Sequence, residues 1–174
     1  GSVKVKRSTY HNLILIFFIF SALITCYIGI KHYRQNNPWI LGGWLINYAD
    51  GFVRRGLLGE LILIVSNIFN ISPKLLTTII QLKFYILYFF LSFRLITSRT
   101  NLQNYALLIW SPFLFFFQIN AEQAGFRKEI IFFVLLAYTI YANIFYSDKN
   151  KKKTFCFVLL SYPVLILSHE MFLV

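Results

Sequence analysis

Residues 12–30, NLILIFFIFSALITCYIGI, contain no charged side chain and follow a basic tail holding Lys4, Lys6 and Arg7. A helix crossing the hydrocarbon core of a bilayer needs about 20 mainly apolar residues. This run has that length, and further apolar runs occupy 74–96, 104–120, 129–146 and 154–174. In lipid, backbone N–H and C=O groups must find partners inside their own segment, so each run is expected as a helix. Composition agrees: 58% of the chain is hydrophobic and 13% charged, where soluble domains carry roughly 25% charge. The expected fold class is all-α: a polytopic transmembrane helix bundle of five spans, with an interfacial or re-entrant element over residues 38–72. One transmembrane domain covers 1–174. The chain ends inside the apolar run LILSHEMFLV, so it reads as the front part of a longer protein.

The formal net charge of +11 belongs with lipid headgroups, not nucleic acid. Positive residues favour the cytoplasmic side. If 56–72 does not cross, the inner face carries Lys4, Lys6, Arg7, Arg94, Arg99, Lys149, Lys151, Lys152 and Lys153. The outer face then carries Lys31, Arg34, Arg54, Arg55, Lys74, Arg127 and Lys128. A crossing at 56–72 would instead put the lysine cluster outside. The expectation is therefore a cytoplasmic N-terminus in the inner membrane, with 147–153 as a basic loop. Richness in Phe, Ile, Lys, Asn and Tyr suggests AT-rich coding and a bacterial source. Cys26 and Cys156 lie in apolar runs and read as small hydrophobes, with no disulfide or metal spacing.

On this topology most acidic residues gather at the outer face, where charge near a bilayer marks a functional site. The stretch NYADGFVRRGLLGE, residues 47–60, holds Asp50, Arg54, Arg55, Glu60 and three glycines. A helix through it would set Asp50 and Arg54 at i,i+4. Pro38 and the Gly42–Gly43 pair are expected to break the segment before it, leaving a loop and a short interfacial helix. Trp39, Trp44 and Tyr48 suit the membrane interface. Adjacent arginines offer forked donors for phosphate oxygens. The stretch NAEQAGFRKEI, residues 120–130, holds Glu122, Arg127, Lys128 and Glu129. Arg127 and Lys128 could clamp a phosphate. Glu129 should open the next helix, where the dipole favours an anion. His169 and Glu170 are acid/base or metal-ligand types, but Leu173 breaks the H-E-x-x-H spacing. Lys83 lies deep in its span and is expected to face other helices or to snorkel. No Walker loop, dinucleotide fingerprint, cysteine–histidine array or serine elbow is present.

The layout resembles that of the membrane-embedded GT-C glycosyltransferases and related bacterial surface-polysaccharide polymerases. In those enzymes one span leads to a large external loop with interfacial helices and an essential acidic residue, here matched by Asp50. The order proline-containing span, outer polar loop, span and basic turn is matched by IWSPFLFFFQINAEQAGFRKEIIFFVLLAYTIYANIFYSDKNKKK. The outer loop lacks the Asp common there, so Glu122 or Glu129 would serve, and the family's later spans are absent. The resemblance implies a polyprenyl-phosphate-linked sugar donor and a hydroxyl acceptor at the outer leaflet, with membrane lipid around it and no nucleic acid. Asp50 would be the general base. Arg54, Arg55, Arg127 and Lys128 would hold the lipid phosphate. Glu122, Glu129, His169 and Glu170 would supply acid/base or metal-ligand groups. A divalent metal is an open question, since GT-C members differ. A flippase of lipid-linked glycan would use the same arginines without a base. A non-catalytic scaffold of a cell-envelope assembly would use the charged loops for docking.

Overall fold

The computed structural model describes residues 2–53, 56–98, 109, 115–121 and 125–168. The regular structure among them is helical: α1 (Ser2–Gln35), α2 (Pro38–Leu45), α3 (Leu57–Phe69), α4 (Pro73–Thr97), α5 (Phe117–Asn120), α6 (Glu129–Phe145) and α7 (Asp148–Ser168). Helix boundaries follow local chemistry. Pro38 and Pro73 open α2 and α4 at positions where the missing N–H costs nothing. Asn36 (φ 57°) and Asn70 (φ 51°) take the left-handed conformation that closes α1 and α3. The Gly42–Gly43 pair does not break the chain; both glycines lie within α2. The basic segment expected as a loop at 147–153 is helical from Asp148, because Asp148 in the first turn complements the helix dipole and pairs with Lys151 at 3.3 Å.

Two described helices, Thr9–Gln35 within α1 and Pro73–Thr97, are long and apolar enough to cross a membrane; five were expected. The difference has physical causes. Helix α6 is apolar but has only 17 residues, and α7 begins with the polar turn DKNKKK. Most of the expected span 104–120 lies outside the described residues.

Helix α4 packs against α1, α2, α3 and α6. Helices α1 and α4 run antiparallel. His11 meets Phe93 (5.5 Å), Phe18 meets Phe89 (6.1 Å), and Lys74 lies over the Tyr33 ring (4.6 Å). Hence the chain leaves α1 and enters α4 at the same end of the bundle. Helix α6 runs parallel to α4: Tyr88 meets Phe133 (6.2 Å) and Arg94 lies over Phe145 (5.8 Å). The core is aromatic, with Phe17, Phe18, Tyr85, Phe89, Phe115 and Phe126 in contact through edge-to-face and tilted pairs. The outward faces are apolar as well. Ile16, Phe20, Leu23 and Tyr27 on α1 are exposed, as are Phe155, Leu159 and Leu160 on α7. Contiguous apolar surface of this kind is rare where a protein meets water.

Candidate functional site

The turn GFRKE, residues 125–129, is the point on which three helices converge. Trp44 of α2 donates its indole N–H to the Phe126 carbonyl oxygen at 2.7 Å, and the Gln81 amide of α4 donates to the same oxygen at 3.3 Å. The Tyr85 hydroxyl of α4 donates to the Gly125 carbonyl oxygen. The Phe126 ring is itself enclosed, 5.5 Å from the His32 ring at the end of α1 and 5.2 Å from Tyr85. Carbonyls buried among apolar side chains need such donors, since an unmet group there costs about 1–3 kcal/mol. Gly125 is required by contact: a Cβ there would lie 2.3 Å from the Gln118 Cα. Gln118 in turn donates to Thr25 Oγ1 (3.1 Å) and to the Phe115 carbonyl (2.7 Å), tying the segment before the turn to α1.

On this anchored turn Arg127 points outward, with 64% of its side chain exposed and its guanidinium 4.0 Å from Glu129. Glu129 is the first residue of α6, as the sequence predicts, and is largely covered. Lys128 is 4% exposed, so it is part of the packed end of the bundle and not an open clamp beside Arg127.

Asp50 lies elsewhere on the same side of the fold. Residues 46–53 are not helical, so no helix carries Asp50; the segment turns, with the Gly51 N–H donating to the Tyr48 carbonyl at 3.1 Å. Gly51 takes φ +123°, a conformation few other residues accept. Asp50 is exposed on this turn. Three contacts hold it. The Tyr48 N–H donates to Glu60 Oε2 at 3.2 Å, Tyr48 stacks on Phe52 at 5.6 Å, and Gly59 lies so close to the Ile46 carbonyl that a Cβ would come within 2.0 Å. The Asp50 turn therefore follows directly from α2, whose Trp44 bonds the turn carrying Arg127.

Arg54, Arg55, Glu122, His169 and Glu170 lie outside the described residues. Among the described residues no three His, Cys, Asp or Glu side chains gather as a metal site would require. One expectation changes. Trp44 is 1% exposed and braces the core rather than the membrane interface. Lys83 is exposed, in keeping with the snorkelling expected of it and not with the alternative that it faces other helices; Gln81, two positions earlier, is buried, as are Thr77, Thr78 and Ser92 of α4. The sequence signal for Gln81 and Gln118 was present: each is an uncharged amide inside an apolar run, and such groups face the interior.

No family model, curated protein or solved structure matches the chain, so the anchored turn and the Asp50 loop stand on their own geometry.

Proposed function

We propose that the chain is the membrane-embedded part of a glycosyltransferase or polysaccharide polymerase that uses a polyprenyl-phosphate-linked sugar at the outer face of the inner membrane. One observation carries the proposal. A solvent-facing cation, Arg127, and a carboxylate at a helix start, Glu129, are fixed on a hydrogen-bonded turn. The helix bracing that turn leads straight into the loop presenting Asp50. Arg127 binds the lipid phosphate as charge builds on the leaving group. Asp50 accepts the proton of the attacking hydroxyl. Its exposure leaves room for an acceptor.

The bundle is proposed to cross the bilayer five times, with the N-terminus cytoplasmic; α6, with 17 residues, would cross at the short end of the spanning range, and α7 by the apolar part that follows its basic first turns. Support comes from the shared end of α1 and α4, which makes residues 36–72 an excursion that returns to its own side. Support also comes from the basic side chains at the opposite end, where Arg94 lies over Phe145 close to Lys149, Lys152 and Lys153 in sequence.

The test is sugar transfer from a polyprenyl-pyrophosphate donor in membranes holding the protein. Asp50→Ala should lower the rate by about 100-fold or more at unchanged donor binding, and Arg127→Ala should weaken donor binding. Full transfer by an inserted Asp50→Ala variant would leave a flippase or scaffold in place of the enzyme.

A further inference from the structure

We infer that the groove between α3, α4, α6 and α7 is a binding site for one anionic membrane phospholipid. Its acyl chain would lie along the groove and its headgroup phosphate on Lys153. The groove encloses about 670 Å³, and its walls include Phe84, Leu87, Val134, Leu160, Val164 and Leu165. Two hydroxyls on its wall are already satisfied within α7: Ser161 donates to the Phe157 carbonyl at 2.7 Å, and Ser168 to the Val164 carbonyl at 2.6 Å. Apart from Tyr138 at one end, the wall therefore asks nothing of its occupant but hydrocarbon.

At one end the groove shares Tyr138 and Phe157 with a second cavity of about 340 Å³, which is completed by Tyr146, Asn150, Lys153 and Thr154. An apolar slot thus opens into a mouth with a cation and hydrogen-bonding groups, the pattern of an anionic amphiphile. Between Phe157 and Ser168 the slot runs roughly 16 Å along α7 at the helical rise. That is close to the depth of one leaflet, about 15 Å of the ~30 Å hydrocarbon core. Charge selects the headgroup. Residues 148–153 hold four lysines and one aspartate, and Asp148 is engaged by Lys151 at 3.3 Å, so Lys153 faces the mouth within a strongly basic turn. Leu160 is 77% exposed, so the slot is open sideways to lipid. The occupant is distinct from the sugar donor, because the mouth lies at the end of the bundle away from Arg127 and Asp50. The inference rests on the membrane placement but not on the catalytic assignment.

The experiment is native mass spectrometry of the detergent-solubilised protein, titrated with dioleoyl-phosphatidylglycerol and, separately, dioleoyl-phosphatidylcholine. One phosphatidylglycerol should be retained with a preference of about fivefold or more, the factor expected for one basic group at an anionic headgroup. Lys153→Glu should abolish the preference and Lys153→Arg should keep it; both change an exposed side chain and leave the packing intact. Leu160→Trp should fill the slot and weaken both lipids. Equal binding of the two lipids, an adduct indifferent to Lys153→Glu and Leu160→Trp, or a dimer dispersed by Leu160→Trp would overturn the lipid site. Recovery of the protein in the aqueous fraction without detergent would overturn the membrane placement itself, whereas loss of lipid preference alone leaves the catalytic assignment standing.

Discussion

The Trp44 indole and the Phe126 carbonyl meet at 2.7 Å although 82 positions separate them in the chain. The same oxygen also accepts from Gln81 at 3.3 Å, so two elements, α2 and α4, are pinned to one backbone atom of the turn that presents Arg127. Sharing one acceptor makes the two donors partly interchangeable.

Trp44→Phe should therefore cost about 1 kcal/mol through its hydrogen bond, because Gln81 still satisfies the carbonyl. Gln81→Leu should behave similarly. Together they leave a buried carbonyl unmet, and the double variant should lose more than the sum of the two. Thermal unfolding in detergent, followed by helical circular dichroism, measures all three; strict additivity would show that the carbonyl is not shared.

Gly59 and Gly42 should respond oppositely to alanine. A Cβ on Gly59 would lie 2.0 Å from the Ile46 carbonyl oxygen and must push the loop away, at about 1–3 kcal/mol. A Cβ on Gly42 meets nothing within 4 Å inside α2, so Gly42→Ala should stabilise by about 0.5–1 kcal/mol. Opposite shifts in melting temperature are expected.

Glu60 should govern the mobility of the Asp50 turn. Glu60→Ala removes the acceptor of the Tyr48 N–H, whereas Glu60→Gln retains an oxygen there. Amide exchange at Tyr48 should quicken by about tenfold in the alanine variant, the effect of roughly 1.4 kcal/mol, and little in the glutamine variant. Equal exchange in both variants would mean that Glu60 does not hold the turn.

Orientation is open to chemical labelling. Lys151→Cys, in a chain with Cys26 and Cys156 changed to Ser, should resist a membrane-impermeant maleimide added to intact cells and react once the membrane is opened. An added cysteine at Asp50 should show the reverse. Labelling of position 151 from outside would invert the proposed topology.

Much of the helical outline was legible in the sequence, because it depends on local properties. Run length and apolarity marked α1 and α4, Pro73 marked the start of α4, and Glu129 marked the start of α6. What lay beyond the sequence was which way each side chain turns. A helix that is apolar nearly all round has no distinct buried stripe to read. So Lys83 could be placed at its depth but not on its exposed face, and Trp44 looked like an interface residue until the Phe126 carbonyl met it. The Asp50 turn was hidden for a related reason: it is held by the Glu60 carboxylate and the close pass of Gly59, contacts that exist only once α3 has folded back on α2. The sequence determined that this chain forms apolar helices with its charge gathered between them. Tertiary packing alone decided which of those charges are braced, which are buried and which face outward, because buried backbone carbonyls take their donors from wherever the bundle brings them.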